Sequence, residues 1–130
     1  MNKNKLEIAI NATCARVFEF SINPENTPNW IVSITIEKVD DFPIKLGTLY
    51  SNTSDNINWS NYTCTKFIKN ELFELSDTNG GYKVRYDYEK LSDNQTKLTY
   101  TEWTEDDTKL SNLLDIESLV LLKSFIEDKI

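Results

Sequence analysis

Hydrophobic and polar positions alternate along much of this chain and switch to helical spacing near its two ends. "KLEIAI" predicts a strand over residues 5–10 with Leu6, Ile8 and Ile10 on one face. Thr13 then suits a helix N-cap, ahead of Val17, Phe18 and Ile22 at helical spacing. Asn23-Pro24 predicts a restart, with Asn as cap and Pro at the first helical position, and Pro28 and Trp30 close that second short helix.

A strand-rich middle follows. "VSITIEKV" alternates Ile34 and Ile36 against charged or hydroxyl neighbours, and "GTLYSN" reads as a shorter strand. "NWSNYTCTKFI" is β-branched and aromatic, as strands are. Its inner face stays open between Tyr62, Cys64 and Ile68 on one side and Trp59, Thr63, Thr65 and Phe67 on the other. The next pair is tighter. Asn79-Gly80 is a strong two-residue hairpin signal and pairs Leu75 with Val84 and Phe73 with Tyr86. Opposed residues share a face, so Phe73, Leu75, Tyr82, Val84, Tyr86 and Tyr88 fall on one side. Lys83, Arg85, Asp87 and Glu89 take the other. A three-residue loop into "TKLTYTEWTE" sets Leu98 opposite Tyr88, Tyr100 opposite Tyr86 and Glu102 opposite Val84. An even loop would turn Trp103 inward instead.

From about residue 109, "TKLSNLLDIESLVLLKSFIEDKI" predicts a long helix. Leu110, Leu113, Leu114, Val120, Leu121 and Phe125 gather on one side, with Glu117 in the middle of that stripe. Ile116, Leu119, Ile126 and Ile130 form a second apolar strip nearly opposite.

The order is strand, two short helices, about six antiparallel strands and a long last helix. It resembles the START-like or Bet v 1-like superfamily, specifically the bacterial polyketide cyclase/dehydrase-like (SRPBCC) group. The resemblance rests on "ATCARVFEFSINPENTPNW", on the Tyr-rich hairpin and on "LVLLKSFIED", and covers nearly the whole chain as one domain, residues 1–130. It implies an α+β helix-grip fold, with a curved antiparallel sheet around the last helix and a cavity between them. Fold alone does not give function, since this superfamily holds lipid carriers, cyclases and chaperone-associated proteins.

Charge and composition narrow the partners. The 130 residues carry a net charge of −7, with basic residues scattered among acidic ones. Phosphate binding needs a basic face, so nucleic acid is not an expected partner, nor is an anionic membrane. No apolar run opens the sequence, so neither a signal peptide nor a membrane-spanning segment is predicted, and a reducing cytoplasm is the expected compartment. Cys14 and Cys64 then read as free thiols. The chain has no His, which removes the commonest base and metal ligand, and no phosphate-loop or dinucleotide motif. No cofactor or metal is expected.

The candidate ligand-binding residues are Trp30, Tyr86, Tyr88, Tyr100, Glu102, Glu117 and Leu121. Trp30 reads either as an entrance residue or as an anchor for the helical pair. The three Tyr form a polar-tipped aromatic wall or an ordinary core. Glu102 and Glu117 stand where the pattern expects apolar residues. They read either as desolvated groups that orient a ligand or act as acid–base, or as solvated rim residues. The expected function is a binding module for a hydrophobic or amphipathic small molecule, as a monomer or weak homodimer. The alternatives are a cyclase/dehydratase-type enzyme using a cavity carboxylate and a chaperone-associated interaction domain.

Overall fold

The structure is a computed structural model that describes residues 3–105, 110 and 113–128. Strand β1 (Lys3–Ile10) is followed by helices α1 (Cys14–Ile22) and α2 (Thr27–Trp30). Strands β2 (Ile36–Val39), β3 (Leu49–Thr53), β4 (Trp59–Ile68), β5 (Leu72–Asp77), β6 (Tyr82–Ser92) and β7 (Gln95–Thr104) come next, then helix α3 (Ile116–Glu127). The seven strands form one antiparallel sheet in the order β1-β7-β6-β5-β4-β3-β2. Consecutive strands from β2 to β7 are neighbours, whereas β1 and β2 lie at opposite edges. The two short helices therefore carry the chain across the concave face from one edge to the other. They pack as they go, α1 on β6 and β7, and α2 on β2 and α3. This is the helix-grip architecture of the Bet v 1-like fold.

Local chemistry explains the elements. Thr13 caps α1, its hydroxyl accepting from the Arg16 amide at 3.1 Å. The second helix is shorter than its sequence suggests. Asn23 ends α1, and its side chain accepts from the Glu25 amide in a turn. Only one helical turn follows, with Pro28 in it instead of closing it. Arg16 donates through Nε and Nη2 to the Ile126 carbonyl, at 3.2 and 2.8 Å, and so ties α1 to the C-terminal end of α3.

The hairpin at Asn79-Gly80 has the expected register, Phe73 opposite Tyr86 and Leu75 opposite Val84. The next hairpin reaches its expected register by another route. Ser92 pairs with Gln95 across two loop residues, and an irregularity at Leu91 restores Lys90 opposite Thr96. Tyr88 therefore faces Leu98, Tyr100 faces Tyr86, and Glu102 points inward. A bulge also resolves β4. The register shifts between Cys64 and Lys66, so Tyr62 and Cys64 face inward before it and Phe67 after it.

Two readings are corrected. In β2, Ile36 faces solvent while Glu37 and Val39 point inward, because Val39 pairs with the buried Tyr50 and Glu37 with Asn52. In α3, the buried face is Leu119, Leu122 and Ile126, not the Val120–Leu121 stripe. Leu121 is 38% exposed, and Glu117 is exposed in the first turn. The cause is the helix start. Asp115 caps the helix, accepting from the Ser118 amide, so Leu113 and Leu114 precede it and do not extend its stripe. Position 109 and Ile130, both assigned to this helix from the sequence, lie outside the described residues.

Leu119, Leu122 and Ile126 join one core with Ile10, Val17, Phe18, Trp30, Phe73, Leu98 and Tyr100. Leu122→Ala is expected to cost about 2–5 kcal/mol in urea unfolding, the range for a large-to-small core change. Leu121→Ala should cost less than about 0.5 kcal/mol, as surface changes do. The reverse order would place the other helix face on the sheet.

Candidate functional site

A cavity of about 660 Å³ opens between the concave face of the sheet and the α2–α3 side of the molecule. Its floor is aromatic. Tyr50, Phe73, Tyr86 and Tyr100, on β3, β5, β6 and β7, meet edge to face with centroids 5.7, 5.6 and 5.3 Å apart. Tyr62 and Tyr82 make a second such contact at 6.3 Å. The rim is polar. Ser33, Ser54, Asn58, Ser60, Asp115 and Ser118 border the opening with Val32 and Leu113. The β3–β4 loop on this rim is held by Asp55, which accepts from the Ile57 and Asn58 amides at 2.8 and 2.7 Å. Those donors keep its carboxyl below the usual range.

Two carboxylates face the interior, and their surroundings differ. Glu102 is 2% exposed. Its Oε1 accepts from the Tyr82 hydroxyl at 2.7 Å, and its Oε2 from Asn4 Nδ2 and the Leu114 amide at 2.8 and 2.9 Å. A buried carboxylate is tolerable when hydrogen-bonded in this way. Burial first, and then the Glu102 charge, pushes the Tyr82 hydroxyl far above the usual phenol range. Glu37, on β2, accepts from Thr27 Oγ1 at 2.5 Å and from Asn52 Nδ2 at 3.1 Å. Desolvation raises its carboxyl above the ordinary value of 4.5, and the two hydrogen bonds only partly oppose that. Tyr62 lies within the field of both carboxylates.

The sequence candidates divide between cavity and elsewhere. Tyr86, Tyr100 and Glu102 line the cavity. Tyr88 is buried deeper, its hydroxyl 2.6 Å from Ser21 Oγ. Trp30 is fully buried behind Tyr86, 6.2 Å from it edge to face, and is an anchor of the core instead of an entrance residue. Glu117 and Leu121 are exposed and lie off the cavity wall, for the helix-start reason given above. Trp59 and Trp103 are also outside it, Trp59 beneath the Lys38 ammonium at 4.7 Å.

Sequence reasoning missed Glu37, Thr27 and Asn52. Glu37 sits beside an apolar alternation that runs the wrong way. Only the pairing of Val39 with Tyr50 reveals its direction, and the long connection before β3 hides that register. Cys64 is a free thiol pushed up to about 11 by burial, which makes it a poor nucleophile. Among the described residues no group of three or more His, Cys, Asp or Glu stands close enough to hold a metal, and no helix is long and apolar enough to cross a membrane. The site can therefore accept hydrogen bonds at two carboxylates, hold or release a proton at Glu37, and pack an apolar body against tyrosine rings.

Residues 9–122 match the family described as Domain of unknown function (DUF3284). The chain belongs to that family. No curated protein matches the sequence. Solved structures of the same fold include a conserved protein of unknown function, EF2215, from Enterococcus faecalis. It aligns with a TM-score of 0.74 at 13% identity, over 95% of this chain and 70% of that one. The Aha1 dimer from Colwellia psychrerythraea aligns at 0.70 and 16% identity, over 98% and 97%. Ara h 8.0201, of the Bet v 1 family, aligns at 0.64 and 14% identity, over 98% and 99%. At these identities the likeness concerns the fold alone.

The raised Glu37 carboxyl has a consequence for stability. The folded state binds that proton more readily than the unfolded chain. Its contribution is present below about pH 4.5 and is lost as pH rises through the raised value. Glu37→Gln removes this loss. The unfolding free energy of the variant relative to wild type should grow as pH rises from about 4.5 toward neutrality. A difference that stays constant over that range would contradict the desolvated placement of Glu37.

Proposed function

We propose that this DUF3284 protein is a binding module for a small amphipathic molecule, held in the cavity between the sheet and the α2–α3 side. The observation that carries this reading is the cavity itself. Its volume of about 660 Å³ falls in the range of small-molecule sites, and its wall joins tyrosine rings and aliphatic side chains to a few placed polar groups. The aliphatic part comes from Ile22, Ile31, Leu75 and Val84. The opening helices and the closing helix resemble those of the polyketide cyclase/dehydrase-like group of the superfamily. Glu37 is the carboxyl on the cavity wall best placed for acid–base work, should the bound molecule be transformed there.

A role in protein interaction has one observation in its favour. Ile116, Val120 and Leu121 are exposed on α3, with Leu113 just before it. The strip expected from the sequence is not the one presented, since Leu119 and Ile126 are buried.

A neutral apolar dye, N-phenyl-1-naphthylamine, tests the binding reading. It should bind saturably in the micromolar range with enhanced fluorescence. Val84→Phe, which adds a ring inside the cavity, should weaken that binding at least about tenfold, with a fold cost of about 1–3 kcal/mol. No saturable binding, or binding unaffected by Val84→Phe, would overturn the reading.

A further inference from the structure

Resting on the binding reading above, we propose that the cavity is built for a positively charged ligand: an amphipathic ammonium compound whose nitrogen meets Glu37 and whose apolar body lies along the tyrosine wall. The first support is the balance of charge. Glu37, Glu102 and Asp115 line the cavity, and no Lys or Arg does among the described residues. None of the ion pairs among those residues involves Glu37 or Glu102. An interior of low dielectric strengthens the attraction of such carboxylates for a cation and their repulsion of an anion.

The second support is what the protein leaves to each carboxylate. The two oxygens of Glu102 receive three donors, which fix the carboxylate between β1, β6 and the segment before α3. The oxygens of Glu37 receive one donor each, from Thr27 and Asn52. A carboxylate offers about four acceptor sites, so about two remain at Glu37 for a ligand N–H. Burial raises its proton affinity, and no described protein cation offsets its charge.

The third support is the ring chemistry of the wall. Tyr86 is 6% exposed and its ring lines the cavity. Tyr86 and Glu37 line the same cavity. With Tyr86, the rings of Tyr50, Tyr62, Tyr82 and Phe73 line the cavity, and an aromatic ring attracts an organic cation placed over its face. Charge, acceptor capacity and ring chemistry thus favour the same ligand class.

Three probes of equal chain length test the inference: octylammonium, octanol and octanoate, each displacing N-phenyl-1-naphthylamine from the wild-type protein at neutral pH. Octylammonium should bind at least about tenfold more tightly than octanoate and more tightly than octanol. Glu37→Gln should lower octylammonium affinity roughly tenfold and change octanol by less than about twofold. Equal affinities for the three probes, or tighter octanoate, would overturn the inference while leaving the binding reading in place, since the dye is still displaced. An octylammonium affinity unchanged in Glu37→Gln would overturn it as well. Failure of the dye itself to bind would overturn both. Should the variant not fold, the wild-type affinity order decides alone.

Discussion

A buried carboxylate with three donors fixes the geometry on which the rest depends. Glu102 gathers Asn4 from β1, Tyr82 from β6 and the amide of Leu114. Asn4 also donates to the Leu114 carbonyl at 3.0 Å, so both backbone groups of that residue are held. The chain is thereby pinned to the sheet one residue before Asp115 caps α3. Where α3 starts decides which of its faces is buried and how far its N-terminal end stands from β3 and β4. The space left between them is the cavity. An apolar residue at position 102 would pack, but it would leave the Leu114 amide without its acceptor. That is the cost of an unpaired buried polar group, on the order of 1–3 kcal/mol.

The concave face then sorts its polar groups by strand parity. Each inward position of β2 to β7 is set by its neighbours, and the chain of opposed pairs runs from Val39 and Tyr50 to Tyr62, and separately from Phe73 to Tyr86 to Tyr100. The bulge in β4 lets one strand serve both ends of the face, Tyr62 toward the opening and Phe67 toward α1, where it meets Phe18 edge to face. One end is consequently filled by Phe18, Phe67 and Tyr88, and the other stays open and carries the carboxylates. The short helices make this division, since α1 packs on β6 and β7 while α2 packs on β2 and α3.

Much of this was legible in the sequence where local signals were strong. Asn79-Gly80 set a register that carried Phe73, Tyr86, Tyr100 and Glu102 to their correct face, because each pairing constrains the next. The fold class followed from element order together with the family resemblance. The site was legible only in its sheet part. Glu37 escaped because a one-residue change of parity reverses a strand, and no short turn ties β2 to β3. Glu117 and Leu121 misled because the apolar stripe from Leu110 onward was continued through Asp115, which starts a new phase. The bulge in β4 left no mark beyond the ambiguity of its two candidate faces.

The central claim is that molecules enter this concave interior and do not merely adhere to the apolar surface of α3. Backbone amide NMR shifts during titration with N-phenyl-1-naphthylamine address it directly. The account predicts that the largest saturable changes fall on Leu75, Val84, Tyr86, Tyr100 and Glu37, with Glu89 and Lys97 on the convex face unmoved. Changes confined to Ile116, Val120 and Leu121, with the sheet silent, would contradict it.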